Sequence, residues 1–172
     1  MNKAVFLDRD GVLNEDNPKY TYEISNFKIL PGVHEGLRML KEAGYHLIVV
    51  TNQSGIAQGL YTEAQMHTCH AYLQEQTGHL IDHIYYCPYH PSVTASLLRK
   101  PESLMFEKGM ARFNIDPTQS FMVGDRGRDL IPAKKLGIRT IQVGDEVEAE
   151  NRGEFEVNSL LEAAELILSL SK

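Results

Sequence analysis

The most informative stretch for the fold of this chain is Ala4-Val5-Phe6-Leu7-Asp8-Arg9-Asp10-Gly11. Its first four residues are apolar, as in a buried strand, and the glycine predicts a turn directly after them. Because side chains alternate along a strand, Asp8 and Asp10 face the same way as the strand ends. One carboxylate can attack a phosphorus atom while the other supplies and removes protons. Taken alone, the pattern fits a calcium-type turn or a solvated loop equally well.

A second polar loop follows the apolar run His46–Val50, which also reads as a buried strand. Its hydroxyl, its side-chain amides and its backbone N–H groups can hold phosphate oxygens. The candidate phosphate-binding residues of this loop are Thr51, Asn52, Gln53 and Ser54.

Cations and further carboxylates follow in the order that phosphoryl transfer needs. Arg99 and Lys100 precede a proline and can neutralise a phosphoryl group as its charge spreads. The predicted strand Phe121–Val123 then leads into Asp125 and, four residues later, Asp129. Mg²⁺ binds through few carboxylates, waters and substrate oxygens, so Asp125 completes a candidate magnesium site.

The rest of the chain alternates between helical and strand patterns, which predicts an α/β fold with a doubly wound, Rossmann-like parallel sheet. All the polar loops then lie at the carboxyl ends of strands, where such sheets bind ligands. We expect a single domain over residues 1–172 without a large cap domain. The predicted strands are Ala4–Leu7, His46–Val50, Ile84–Cys87, Phe121–Val123 and Arg139–Val143. The predicted helices are Val33–Ala43, a helix from the capping box at Thr62 to near Gly78, Leu104–Phe113, Asp129–Leu136, and Ser159–Leu170 capped by Asn158.

This ordered set of motifs resembles the haloacid dehalogenase superfamily of phosphohydrolases. Six segments are similar to the branch that holds the D,D-heptose 1,7-bisphosphate 7-phosphatases and the histidinol-phosphate phosphatases. The resemblance spans Lys3 to Gly144, and the alternative is a flavodoxin-like fold with ordinary acidic loops. The segments are DRDGVLN, ILPGV (Ile29–Val33), VVTNQSGIAQG (Val49–Gly59), YYCPYHP (Tyr85–Pro91), RKP and MVGDRGRD.

The resemblance implies roles for the aspartates. Asp8 matches the nucleophile and a Mg²⁺ ligand, and Asp125 matches another ligand. Asp10 matches the general acid/base, and its backbone carbonyl matches a metal ligand. Asp129 either holds Lys100 or a metal-bound water, or caps the helix that follows it.

The resemblance also implies contacts to the phosphate groups. Thr51 matches a catalytic member of the phosphoryl-binding loop, and Lys100 matches the cation that orients nucleophile and phosphate. The implied substrate-binding residues are Asn52, Gln53, Ser54, Arg99 and Arg126. Arg126 stands where the branch usually has lysine.

The chain departs from its branch at a zinc loop, in which a Cys-Pro-His turn is closed by Cys-x-Cys just before Arg-Lys-Pro. Tyr89 stands at the histidine position, and Ser96 and Leu98 stand at the two cysteine positions. Only Cys87 remains, with His90 one place late. Because a structural zinc site needs four nitrogen or sulfur ligands, we predict that zinc is absent.

The implied activity is that of a phosphoric monoester hydrolase that uses Mg²⁺ and passes through an aspartyl-phosphate. The expected substrate is a small sugar phosphate, foremost D-glycero-D-manno-heptose 1,7-bisphosphate at its 7-phosphate. One alternative is histidinol phosphate or another small phosphomonoester. The other is a receiver-like module that is phosphorylated on an aspartate without turnover.

Composition limits the classes of partner. The 172 residues carry a formal net charge of -6 without a basic stripe, which argues against nucleic-acid binding. No apolar run reaches the roughly 18 residues of a membrane span, and no signal-like segment precedes the first strand. Two cysteines do not make a disulfide framework. We therefore expect a cytoplasmic monomer that recognises its substrate through loops.

Overall fold

The computed structural model describes residues 1–171 and contains one six-stranded sheet with the strand order β3-β2-β1-β4-β5-β6. All neighbouring strands are parallel. This order reverses between β1 and β4, as in doubly wound sheets, so the predicted fold class is confirmed. The strands are β1 Ala4–Leu7, β2 His46–Asn52, β3 His83–Cys87, β4 Phe121–Gly124, β5 Arg139–Val143 and β6 Phe155–Val157.

Helices cover both faces of the sheet and create two apolar cores. Because side chains alternate along β1, this strand contributes to both cores. Val5 and Leu7 pack into one core and Phe6 packs into the other. The first core includes residues of α1, α2 and α5, and the second includes residues of α3 and α4. The helices are α1 Val33–Glu42, α2 Glu63–Gln76, α3 Leu104–Phe113, α4 Gly127–Lys135 and α5 Leu160–Leu170.

Several details differ from the sequence prediction. Strand β2 extends to Asn52, so Thr51 and Asn52 end the strand and do not begin the loop. Strand β6 was not predicted, because three residues at the sheet edge with an exposed centre give too short a pattern. Helix α4 begins at Gly127, so Asp129 is its third residue and not the N-cap residue, but its Oδ2 accepts the Arg126 backbone N–H at 3.0 Å and so helps to cap the helix start. Helix α5 is capped by Ser159, whose side chain accepts the Glu162 N–H at 3.2 Å, and not by Asn158.

The carboxyl edge of the sheet is left open at the switch point. The connection from β1 to α1 contains one short 3₁₀ helix, Ile24–Asn26, and the connection from β3 to α3 contains no helix or strand. Neither connection forms a large cap, as predicted. Across residues 1–171, no helix has both the length and the apolar character needed to span a membrane.

Candidate active site

The end of β1 places Asp8 against a buried lysine. Lys100 Nζ donates hydrogen bonds to Asp8 Oδ1 at 2.8 Å and to the Val50 carbonyl at 2.7 Å. It also lies 2.6 Å from Asp129 Oδ1. Asp8 is 3 % exposed and Lys100 is 1 % exposed. One buried ammonium group therefore lies between two buried carboxylates.

This group of charges carries more negative than positive charge. Burial and the neighbouring Asp129 raise the pKa of Asp8 to about 6, although Lys100 opposes the shift. Burial and the charges of Asp8 and Asp129 raise the pKa of Asp125 to about 8. Burial alone lowers the pKa of Lys100, but Asp129 and Asp8 outweigh it and keep the net shift upward. Lys100 is therefore a charged ammonium group at neutral pH. Its single positive charge does not balance the negative charge that three carboxylates would carry.

The same carboxylates suit a divalent cation. Asp8, Asp125 and Asp129 each offer an oxygen, and these oxygens lie within 4.8 Å of one another. Asp125 Oδ1 is buried and accepts no hydrogen bond from residues 1–171. Oxygen-only donors and an excess of negative charge fit Mg²⁺. Asp8 and Asp125, the side chains expected to hold the ion, both lie in this cluster, with Asp129 beside them.

Gly11 allows the loops after β1 and β4 to approach each other closely. Its φ of +87° lies in the left-handed region, and a Cβ atom there would be 2.2 Å from Asp125 Oδ2. Only glycine fits both the conformation and the contact. The glycine of the Asp-x-Asp-Gly turn thus brings Asp8 and Asp125 together.

The Asp10 carboxylate is held by four N–H donors. Arg9 donates to Oδ2 from Nε at 3.2 Å and to Oδ1 from Nη2 at 2.9 Å. Asn14 Nδ2 donates to Oδ1 at 2.9 Å, and Gln53 Nε2 donates to Oδ2 at 3.2 Å. Burial alone raises the pKa of Asp10, but Arg9 and the amide donors outweigh it, so the net shift is downward.

The end of β2 and the loop after it position several predicted phosphate-binding residues. Asn52 accepts the Lys100 backbone N–H at 3.0 Å and donates to the Lys100 carbonyl at 3.1 Å, which fixes the loop that carries the lysine. Thr51 is buried, and its hydroxyl oxygen accepts from Gln53 Nε2 at 2.9 Å. Gln53 was predicted to bind substrate, but it is 1 % exposed and contacts Asp10, Thr51 and Tyr61. In this structure it supports other side chains and does not line the cavity.

A cavity of about 160 Å³ opens beside these groups. Arg99, one of the expected substrate contacts, lines it. Arg126 does not line it, because its guanidinium lies 3.2 Å from Asp16, 3.4 Å from Asp125 and 2.5 Å from Glu146. The lining residues are Asp10, Asp16, Asn17, Tyr20, Asn52, Ser54, His90, Arg99 and Arg128.

Residues 8–143 of the chain match the family of haloacid dehalogenase-like hydrolases. The chain belongs to this family. The match begins at Asp8 and includes Lys100, Asp125 and Asp129, so it contains the carboxylate cluster with its lysine. The resemblance inferred from the motifs is thereby confirmed.

Two relatives that match almost the full chain carry the same name. The chain is 40 % identical over 174 residues to D-glycero-beta-D-manno-heptose-1,7-bisphosphate 7-phosphatase of Haemophilus ducreyi, covering 93 % of this chain and 95 % of the relative. It is 41 % identical over 186 residues to the protein of that name from Haemophilus influenzae, covering 100 % of both. The D,D-heptose 1,7-bisphosphate phosphatase of B. bronchiseptica, solved with magnesium and phosphate, is 27 % identical and covers 99 % of both chains with a TM-score of 0.88.

The zinc-loop region of this hydrolase has no zinc-type ligand set around Cys87. The Cys87 thiol is buried and lies 4.0 Å from the Tyr89 carbonyl, while His90 Nδ1 lies 2.6 Å from the Ser92 hydroxyl. Among residues 1–171, the only cluster of three or more His, Cys, Asp or Glu ligands is the carboxylate cluster described above. The absence of zinc remains a prediction for metal analysis.

Sequence reasoning missed three side chains around the site. Arg128 lines the cavity, whereas Arg126, two positions earlier, does not. Which of the two arginines faces the cavity depends on the direction in which α4 begins between them. Arg9 lies inside the Asp-x-Asp motif, but its burial could not be read from the sequence. His70 approaches Arg9 from α2, sixty-one positions away in sequence, and no local pattern marks it.

Proposed function

We propose that this chain is a Mg²⁺-dependent phosphatase that removes the 7-phosphate of D-glycero-D-manno-heptose 1,7-bisphosphate. The carrying observation is the buried set of Asp8, Lys100, Asp125 and Asp129 with the Asp10 carboxylate beside it. The name shared by the full-length relatives supports the substrate. The magnesium and phosphate in the B. bronchiseptica structure support the cofactor and the reaction class.

The proposed chemistry has two steps. An Asp8 oxygen attacks phosphorus in line, the bond from phosphorus to the sugar oxygen breaks, and Asp10 gives that oxygen a proton. Water then attacks the aspartyl-phosphate and passes a proton to Asp10, which frees Asp8 and inorganic phosphate. Lys100 holds Asp8 in place and balances charge on the phosphoryl group. When bound, Mg²⁺ adds further neutralisation of that charge.

The side chains that line the cavity suit a substrate with a second phosphate group. Lys100 lies deep among the carboxylates, so the reacting phosphate belongs at that end. Arg99 and Arg128 line the cavity but are not part of the carboxylate cluster. Two guanidinium groups beyond the reacting centre suit a non-reacting phosphate, because Arg pairs with phosphate through two N–H donors.

The experiment is a phosphate-release assay on three esters, each with and without Mg²⁺. The substrates are the heptose bisphosphate, histidinol phosphate and p-nitrophenyl phosphate. We expect Mg²⁺-dependent release, with the highest kcat/KM on the heptose bisphosphate. A higher value for histidinol phosphate would replace the proposed substrate. A stable phosphoprotein without turnover on any ester would replace the enzyme with a receiver-like module.

Arg128→Gln tests the second-phosphate contact. We expect KM for the heptose bisphosphate to rise about tenfold, which corresponds to about 1.4 kcal/mol, with kcat nearly unchanged. The KM for p-nitrophenyl phosphate should not change, because this ester has one phosphate. Arg112→Gln is the matched control, since Arg112 is an exposed arginine that lines a different groove. An equal rise in KM for both esters would contradict the contact.

A further inference from the structure

Arg9 is a charged residue buried where it cannot touch substrate. It is 1 % exposed, its guanidinium carbon lies 5.4 Å from the centre of the Phe27 ring, and Nη2 donates to the Thr21 carbonyl at 3.0 Å. A buried guanidinium is strongly destabilising unless it is paired and hydrogen-bonded. Asp10 provides the pairing, because the guanidinium fork reaches both of its carboxylate oxygens.

His70 completes the contacts of this guanidinium. Arg9 Nη1 lies 3.3 Å from His70 Nε2. Because arginine can only donate, Nε2 must be the acceptor, which places the imidazole proton on Nδ1. Burial and the charge of Arg9 lower the pKa of His70 to about 3, so the ring is neutral, as this contact requires. His70 therefore fixes the plane and position of the guanidinium.

The surroundings of Asp10 suit a proton acceptor. All four side-chain groups bonded to it are N–H donors, from Arg9, Asn14 and Gln53. Gln53 is itself oriented by Tyr61, whose hydroxyl donates to Gln53 Oε1 at 2.7 Å. A carboxylate can accept all four bonds, whereas a protonated carboxyl group would present a hydrogen to one of these donors. Arg9 supplies two of the four bonds.

We propose that Arg9, held by His70, is a positioning residue that orients the Asp10 carboxylate to take the proton from water when the aspartyl-phosphate is hydrolysed. This inference rests on the proposed function. Arg9 acts only through Asp10, so with an ester whose leaving group needs no proton, its loss should slow the hydrolysis step and leave the transfer step to Asp8 intact. A purely structural role would impair both steps together.

The test is pre-steady-state kinetics of Arg9→Gln with p-nitrophenyl phosphate and Mg²⁺. Nitrophenolate leaves without a proton, so transfer to Asp8 does not depend on Asp10. We expect a burst of about one nitrophenolate per chain, followed by turnover slowed about 10²-fold, the lower end of the effect of a general base. Turnover at the wild-type rate would overturn the proposal, as would loss of both burst and turnover in a folded variant.

Two His70 variants keep the proposal testable if Arg9→Gln does not fold, and a double variant adds a second test if it does. His70→Leu removes the acceptor for Arg9 and should give the same burst with slower turnover, whereas His70→Gln keeps an acceptor oxygen and should restore most of the turnover rate. The double variant Arg9→Gln/Asp10→Asn should be no slower than Asp10→Asn alone, because a residue that acts through Asp10 has nothing left to orient. An additive loss, or equal rates for both His70 variants, would overturn the proposal. Absence of phosphatase activity in the wild-type chain would instead reject the proposed function.

Discussion

At the scale of single residues, the account depends on Asp8 as nucleophile. We expect Asp8→Asn to lose turnover by ~10⁶-fold, the loss typical of removing a nucleophile, because the amide cannot attack phosphorus. Its free energy of unfolding at pH 7 should be unchanged or higher without Mg²⁺. The folded-state pKa of Asp8 is raised to about 6, so the ionised carboxylate at pH 7 lowers the free energy of unfolding. Asparagine removes this penalty, and Lys100 keeps Asp129 as its ion-pair partner. Chemical denaturation and phosphate release measure the two effects, and Mg²⁺-dependent turnover above a trace would contradict the role.

At the scale of elements, the turn after β1 and the end of β4 form the cation site together. Gly11→Ala should destabilise the fold by about 1–2 kcal/mol through its left-handed backbone and should also weaken Mg²⁺ binding, because the new Cβ displaces Asp125. Gly137→Ala is the matched control, since Gly137 has a φ of +77° with nothing within 4 Å of the added atom. Titration of activity against Mg²⁺ should shift for Gly11→Ala only. An equal shift in both variants would contradict the close approach at Gly11.

At the scale of the whole molecule, the two apolar cores should hold the fold without metal. The carboxylate cluster lies at the strand ends, outside the residues that form these cores. Chelation should therefore abolish activity while the far-ultraviolet circular dichroism stays unchanged, and added Mg²⁺ should restore the rate. Metal analysis of protein purified without added metal should find no stoichiometric zinc. About one zinc per chain would contradict the interpretation of Tyr89, Ser96 and Leu98 as lost ligands.

The same scales show what the sequence could predict. Apolar runs and capping residues predicted five of the six strands and all five helices, because buried strands and amphipathic helices leave periodic patterns. The motif order predicted that Asp8, Lys100 and Asp125 meet, since strand ends of a parallel sheet share one edge. Side-chain packing across distant elements determines the burial of Arg9 and its contact with His70. It also determines that Arg128 and not Arg126 lines the cavity. No local pattern encodes such packing.

The most direct test of the account is the site at which the enzyme is phosphorylated. Asp10→Asn should accumulate the aspartyl-phosphate formed from p-nitrophenyl phosphate, because this ester needs no acid for transfer while hydrolysis of the intermediate lacks a base. The variant is therefore mixed with p-nitrophenyl phosphate and Mg²⁺ and quenched in acid. Peptide mass spectrometry should find one added phosphoryl group on Asp8, and none when Mg²⁺ is omitted or when Asp8→Asn is combined with Asp10→Asn. A phosphoryl group on another residue, or phosphate release by Asp10→Asn with no phosphorylated Asp8 at any quench time, would contradict the account.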